Sequence, residues 1–89
     1  MRTVRIVVKG RVQGVFFRSH VRRFASSLNI VGSVKNLNDG AVEVVAQGSE
    51  NDIRELIDYC SKGISSAEVN DISVEDIKEI DKRSFEIIY

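Results

Sequence analysis

Residues 8–18 read V-K-G-R-V-Q-G-V-F-F-R, and they set the organisation of the chain. A strand pattern ends within this stretch, Gly10 and Gly14 bracket a short loop, and Arg18 stands where a helical pattern begins. Backbone N–H groups at a helix start have no partner within the helix, and the helix dipole adds about half a positive charge there. Glycines let successive N–H groups converge, and an arginine can bind two oxygens of one anion. The stretch therefore predicts a loop that binds a small anion.

Length and composition narrow the class of protein. The 89 residues suffice for one hydrophobic core, so we expect a single domain over residues 1–89. Thirteen basic and thirteen acidic residues give a net charge of zero, which argues against nucleic acid or an anionic membrane as a partner. No apolar run reaches the roughly 20 residues that span a bilayer, and the N-terminus lacks the apolar segment of a signal peptide. We expect a cytoplasmic monomer that acts on a small molecule.

The sequence offers no candidate metal or cofactor site. Cys60 has no second cysteine for a disulfide or a metal pair, and it lies on a predicted apolar helix stripe, so we assign it to the core. One acidic run could suggest Ca²⁺ binding, but it lacks the glycine and the terminal glutamate of an EF-hand loop. We interpret this run as solvated charge; it comprises Glu75, Asp76, Glu79 and Asp81.

Hydrophobic periodicity divides the chain into strands and helices. Apolar and charged residues alternate over residues 3–12, which indicates a half-buried strand. Two stripes with the spacing i, i+3, i+4 and i+7 indicate amphipathic helices. These stripes are Val21, Phe24, Ala25 and Leu28, and then Ile53, Leu56, Ile57 and Cys60. The first helix should end near Asn29, and the second should begin at a Ser49–Asp52 capping box and close at Lys62-Gly63.

The remaining segments are predicted strands. Asn38-Asp39-Gly40 is a tight-turn signal that joins residues 30–38 and 41–47 into a hairpin. Residues 68–77 change parity, which predicts a bulge near residues 70–71, and residues 84–89 form a last short strand. The resulting order is βαββαβ plus a short C-terminal strand. It predicts an α+β fold, a ferredoxin-like two-layer sandwich with two helices on one face of an antiparallel sheet.

A second polar residue can face the predicted anion loop. Val34 lies on the core face of the hairpin's first strand, and Asn36 points to the same side where the apolar pattern ends. An amide can both donate to and accept from one water molecule, and so hold a nucleophile without ionising it. Asn36 could equally be a turn-former before the tight turn, and its surroundings alone favour that interpretation.

The chain resembles the acylphosphatase family in two long motifs. These are V-K-G-R-V-Q-G-V-F-F-R and G-S-V-K-N-L-N-D-G-A-V-E-V-V-A-Q-G, and two motifs at this separation are more specific than a lone glycine fingerprint. In the first, Val8, Gly10, Val12, Gln13, Gly14, Val15, Phe17 and Arg18 fit the pattern. In the second, Gly32, Val34, Lys35, Asn36, Gly40, Val42 and Gly48 fit it.

The resemblance implies an enzyme that hydrolyses the carboxyl–phosphate bond of acyl phosphates without a metal or a cofactor. Arg18 is then expected to bind the phosphate and Asn36 to position the attacking water. Inorganic phosphate is the implied product and the implied competitive inhibitor, bound by the same anion loop. The implied phosphate-binding loop comprises Gln13, Gly14, Val15, Phe16 and Phe17.

Two positions depart from the family pattern, and one histidine invites a further role. Ser33 stands where an aromatic residue is usual, and Asn29 where a glycine is frequent. Because Ser33 has the opposite parity to Asn36, we expect an effect on packing rather than on activity. A histidine can act as a general base near neutral pH, which makes His20 a candidate, but a lone helical histidine beside arginines is more often solvated.

Two other functions compete with hydrolysis. A binding module could recognise an acyl phosphate or phosphate without turning it over. RNA binding is a third possibility, because the same sandwich topology serves RNA recognition. The predicted strand 41–47 offers no aromatic residue on which bases could stack, so we reject RNA binding.

Overall fold

The computed structural model describes residues 1–62 and 67–89. Its elements follow the predicted order, with bounds that differ from the predicted ones by one or two residues. They are β1 (Arg2–Arg11), α1 (Phe17–Ser27), β2 (Val31–Asn36), β3 (Val42–Gly48), α2 (Glu50–Lys62), β4 (Glu68–Asp76) and β5 (Phe85–Ile88). The predicted closure of α2 at Gly63 lies outside the described residues.

The five strands form one sheet in the order β4-β1-β3-β2-β5. The first strand pairs antiparallel with both β3 and β4, and β2 pairs antiparallel with β3. The last strand instead runs parallel to β2, with Gly32 opposite Phe85 and Lys35 opposite Ile88. The sheet is therefore mixed, and this one pairing corrects the predicted antiparallel sheet.

The path of the chain after β4 explains the parallel pairing. Because β4 is antiparallel to β1, its last residues lie at the end of the sheet where β1 and β2 begin. Gln47, at the end of β3, holds the crossing segment there: its Oε1 accepts from the backbone N–H of Ile80 (2.9 Å) and its Nε2 donates to the Ile80 carbonyl (3.2 Å). The chain then enters β5 at the end of the sheet where β2 also begins, so the two strands run in the same direction.

Both helices pack on one face of the sheet, as predicted. The first contacts β2 and β5, while the second contacts β1, β3 and β4. Alternate residues of the strands are buried beneath them, including Val4, Ile6, Val8, Val34, Val42, Val44 and Ala46. Between the helices, Phe24 and Tyr59 stack with ring centroids 4.0 Å apart. None of the helices within the two described ranges is long and apolar enough to cross a membrane.

Gly10 and the predicted bulge in β4 belong together. Lys9 pairs with Asp71 but Gly10 pairs with Val69, so Asn70 is the extra residue of the bulge. Gly10 has φ 135°, and a side chain there would collide with the backbone of Glu68. A glycine at this position therefore allows β1 and β4 to approach closely, whereas the sequence suggested that Gly10 shapes the anion loop.

The other local predictions concern turns and caps, and they hold. Gly40 adopts φ 96°, and the backbone N–H of Ala41 donates to Asp39 Oδ1 at 3.0 Å in the hairpin turn. Asn29 has φ 59° just past the end of α1. The backbone N–H of Asp52 donates to Ser49 Oγ at 3.1 Å, which caps the start of α2.

The sheet face away from the helices carries charged side chains. Arg5 on β1 donates to Glu43 on β3 at 2.6 Å and to Glu75 on β4 at 3.4 Å. Ser33 pairs with Val45, and its parity places it on this face, opposite to the face that buries Val34. The position that departs from the family pattern is therefore remote from the core and from Asn36.

Candidate active site

The loop between β1 and α1 has two residues in the left-handed region. Gly14 has φ 74°, and Phe16 has φ 62° and ψ 19°. A non-glycine residue in this region costs of the order of 1 kcal/mol, and such strain concentrates at functional sites. Phe16 is the N-cap residue of α1, yet its ring is 77% exposed. The strained backbone is thus fixed by the loop rather than by packing of the ring.

His20 and Phe17 hold this strained loop against the helix. The backbone N–H of His20 donates to the Phe16 carbonyl at 3.1 Å, and His20 Nδ1 donates to the same oxygen at 2.8 Å. The Phe17 side chain is fully buried in the core. The structure therefore gives His20 a contact that positions the loop.

The start of α1 is suited to a bound anion. Within the described part of the chain, no side chain forms a capping hydrogen bond at this end, and the first turn of α1 contains no acidic residue. The free N–H groups and the positive end of the helix dipole therefore remain uncompensated by an acidic side chain of α1. Arg18, the second residue of the helix, adds a full positive charge at the same place.

Contacts with the end of β5 position the Arg18 side chain. Its Nη1 donates to the Ile88 carbonyl at 3.3 Å, and its guanidinium carbon lies 4.9 Å from the centroid of the Tyr89 ring. Among the described residues, no acidic side chain forms an ion pair with Arg18. A carbonyl oxygen and an aromatic face orient the guanidinium without neutralising its charge. The group remains able to bind an anion.

Asn36 ends β2 on the core face of the sheet. It pairs with Val42, which is fully buried, so its side chain points toward the helix layer as predicted. Its Oδ1 atom is buried and accepts no hydrogen bond from any described residue. A buried acceptor without a donor typically costs 1–3 kcal/mol, so stability does not explain an asparagine at this position.

Arg18 and Asn36 both lie at the C-terminal end of β5. The residue before Asn36, Lys35, pairs with Ile88, whose carbonyl accepts from Arg18. A cavity of about 300 Å³ opens at this end, beside the start of α1. Its wall consists of Val12, Gly14, Phe16, Phe17, Arg18, Ser19, Ile87 and Tyr89.

Not every predicted site residue faces this cavity. Gln13 and Val15 are absent from its wall, and Asn36 lies beside the strand end rather than in the wall. Gln13 Nε2 donates to the carbonyls of Leu37 and Ala41, each at 2.8 Å. The side chain of Gln13 therefore braces the β2–β3 hairpin against the loop, and only its backbone is left to face an anion.

Sequence reasoning missed Tyr89, which lines the cavity and covers Arg18. Its strand parity matches that of Phe85 and Ile87, which could have placed it on the helix side of the sheet, but no motif marks it as a contact of Arg18. Ser19 in the cavity wall was missed as well, although its place after Arg18 in the first helical turn could have indicated it.

The titratable groups with shifted pKa values lie outside this cavity. Burial raises the pKa of the Cys60 thiol to about 12, consistent with its assignment to the core. Within residues 1–62 and 67–89, no three His, Cys, Asp or Glu side chains are grouped so that they could hold a metal ion. Among the described residues, the candidate site therefore offers the backbone N–H groups at the start of α1, the Arg18 guanidinium and the Tyr89 ring, with Asn36 beside the strand end.

Comparison with known proteins identifies the family. A family model described as acylphosphatase matches residues 4–87. The acylphosphatase of Syntrophus aciditrophicus is 45% identical over 74 residues, which cover 83% of this chain and 77% of that protein. The acylphosphatase of Thermotoga maritima is 40% identical over 89 residues, which cover 100% of this chain and 99% of that protein.

Solved structures have the same fold. The crystal structure of acylphosphatase from Bacillus subtilis matches with a TM-score of 0.94 and 39% identity, and the match covers 100% of both chains. The crystal structure of full-length HypF in the phosphate- and nucleotide-bound form matches with a TM-score of 0.88 and 25% identity, over 99% of this chain but only 12% of HypF. Because the family model spans nearly all of the sequence and the relatives align over most of their length, this chain belongs to the acylphosphatase family of enzymes.

Proposed function

We propose that this acylphosphatase hydrolyses the carboxyl–phosphate bond of small acyl phosphates without a metal ion, with Arg18 and the loop N–H groups as the phosphate site. The observation that carries the proposal is the cavity of about 300 Å³ at the start of α1, where Arg18 meets an uncapped helix end. Oriented N–H groups at a helix start are a common phosphate site in proteins.

The phosphoryl group would occupy this cavity with its oxygens toward the backbone of residues 15–18. Arg18 can bind two of these oxygens through its planar guanidinium group. In the transition state the negative charge is spread over the equatorial oxygens of the phosphoryl group. Fixed hydrogen-bond donors that surround these oxygens therefore stabilise the transition state. The contacts with Ile88 and Tyr89 orient the guanidinium before the substrate binds.

The attacking water is assigned to Asn36. Its Oδ1 is buried in the free protein; when substrate and the attacking water occupy the site, it would accept a hydrogen bond from this water, and the side-chain NH₂ group can donate another. The water oxygen attacks phosphorus in line with the departing acyl oxygen, the phosphorus–oxygen bond to the acyl group breaks, and the water protons pass to the phosphoryl oxygens. The products are a carboxylate and inorganic phosphate.

The leaving group explains why so few side chains suffice. A carboxylate is a weak base, so its departure needs no strong general acid. Positioning of the water and stabilisation of the phosphoryl charge can then supply most of the rate enhancement. Inorganic phosphate would bind in the same cavity as the phosphoryl group of the substrate and should inhibit competitively.

The test is release of phosphate from benzoyl phosphate, with and without a chelator. We expect turnover that is insensitive to the chelator. Arg18→Ala should weaken both substrate capture and turnover, because the arginine contacts the phosphoryl group in the ground state and in the transition state. Asn36→Ala should lower kcat by about 100-fold with phosphate binding retained, because it positions only the water.

Two surface substitutions on α2 serve as matched controls. Arg54 pairs with Glu50 on the exposed side of α2, and Asn51 is exposed in its first turn, so Arg54→Ala and Asn51→Ala should retain activity. Phosphate binding by the folded wild type without any turnover would instead identify a binding module. Full activity of Asn36→Ala would refute the role of Asn36, and loss of activity on chelation would refute the metal-free mechanism.

A further inference from the structure

A second, larger groove lies next to the cavity at the start of α1, which we call the phosphate cavity. This groove runs along α1 and β5. It has a volume of about 560 Å³ and shares Ile87 and Tyr89 with the phosphate cavity. One wall is the side of α1 that carries Arg22 and Ser26, and the other is β5. The groove and the phosphate cavity therefore adjoin at Ile87 and Tyr89, and Tyr89 is 94% exposed.

The groove carries an excess of positive charge. Arg22 and Arg83 line it, and neither forms an ion pair with any described residue. Its one acidic side chain, Glu86, is paired with Lys82 at 3.1 Å. By contrast, Arg2 and Arg5 each contact two carboxylates. The chain is neutral as a whole, yet the groove beside the phosphate cavity is cationic.

Arg22 is the charged group of the groove that lies on the same helix as Arg18. It follows Arg18 by four residues, so the two arginines lie on one side of α1, about 6 Å apart along the helix axis. Both reach the backbone of β5: Arg18 Nη1 donates to the Ile88 carbonyl, and Arg22 Nε donates to the Phe85 carbonyl at 3.4 Å. This contact holds Arg22 at the groove and leaves its two terminal nitrogens for a ligand.

We propose that the groove receives the acyl part of the substrate and that Arg22 is a specificity-determining residue, which favours acyl groups with a second negative charge. This inference rests on the proposed function, because it assumes that the phosphoryl group occupies the cavity at Arg18. A carboxylate a few bonds from the acyl carbon would lie one helical turn from the phosphate, where Arg22 can donate two hydrogen bonds to it.

The test compares two substrates that differ only in this charge. 3-Carboxybenzoyl phosphate carries a second carboxylate, and 3-methylbenzoyl phosphate carries a neutral group of similar position. The readout is the ratio of kcat/KM for the charged substrate to that for the neutral one, since a general effect of a substitution on the phosphate site cancels in this ratio. We expect Arg22→Ala to lower the ratio about fivefold, the size of a partly exposed ion pair, and Arg22→Lys to restore part of it.

Arg23 provides the matched control on the same helix. Its charge opposes the rise in pKa that burial causes at the Tyr59 hydroxyl on α2, and Arg23 lines a separate surface depression beside Arg22 and Ser26. It is absent from the wall of the groove, and Arg23→Ala should leave the ratio unchanged. The wild-type ratio should also fall as salt is added, because ions screen a partly exposed contact.

The outcomes separate the two proposals. If the wild type fails to hydrolyse the neutral substrate, the proposed function is wrong. If it hydrolyses both substrates but Arg22→Ala changes the ratio no more than Arg23→Ala does, the proposed function stands and the role of Arg22 is refuted. A ratio that falls in Arg22→Ala alone supports the acyl groove.

Discussion

Replacement of Asn36 by leucine should separate stability from activity. Asn36 Oδ1 is buried without a donor among the described residues, so the folded state carries a desolvated acceptor that water satisfies in the unfolded chain. Leucine is the apolar side chain of similar branching, and it removes this acceptor. We therefore expect Asn36→Leu to be more stable than the wild type and nearly inactive.

The expected sizes follow from the burial of this atom. Removing an unsatisfied buried acceptor recovers about 1–3 kcal/mol, less whatever strain the larger leucine introduces. A net gain of about 1 kcal/mol corresponds to a rise of about 4–8 °C in Tm for a domain of this size, and this is the rise that we expect. Loss of the group that positions the water should lower kcat by about 100-fold.

Two measurements on three proteins test this reasoning. Thermal unfolding and hydrolysis of benzoyl phosphate are measured for the wild type, Asn36→Leu and Asn36→Asp. Aspartate has the shape of asparagine but places a charge on the same buried oxygen, so Asn36→Asp should lower Tm. A lower Tm for Asn36→Leu than for the wild type would refute the unsatisfied acceptor, and retained kcat would refute the role of Asn36 in catalysis.

Three further predictions concern the supports of the site and the core. Gln13→Ala removes two hydrogen bonds to the hairpin and should lower the free energy of unfolding, measured in urea, by about 1–3 kcal/mol. A change within error would show that these hydrogen bonds do not stabilise the hairpin. Tyr89→Ala removes the aromatic ring that contacts the Arg18 guanidinium. KM for benzoyl phosphate should then rise about threefold, as expected for loss of a cation–π contact of about 0.5–1 kcal/mol. An unchanged KM would exclude the contact. Cys60 has a pKa raised to about 12 from 9.0, so it should resist alkylation at pH 8 until the protein unfolds. Because the unfolded chain loses the thiol proton first, this group should lower stability as pH rises from about 9 to 12, a slope that Cys60→Ala should lack; rapid alkylation of the folded protein would contradict both expectations.

Periodicity was enough to predict the elements and their buried faces. The alternation in β1 and the helical stripes that include Val21 and Leu56 record which side of each element meets the core. Parity also placed Asn36 on the helix side of the sheet and Ser33 on the other. These predictions hold because the side-chain direction of a strand residue depends only on its position in the strand.

The direction of β5 and the shape of the loop depend on contacts that are distant in the sequence. The parallel pairing of β5 follows from the clamp between Gln47 and Ile80, 33 residues apart. The left-handed conformation of Phe16 is fixed by His20 and by burial of Phe17, and an aromatic residue gives no local signal for it. Tyr89 reaches Arg18 only because β5 ends beside α1.

The position of a bound phosphate tests the central claim most directly. In a crystal structure of the protein with inorganic phosphate, we expect the phosphorus atom in the cavity at the start of α1. Its oxygens should contact the Arg18 guanidinium and the backbone N–H groups of residues 15–18, with Asn36 on the side from which water attacks. A phosphate bound elsewhere, with this cavity and Arg18 left without an anion at saturating concentration, would contradict the account.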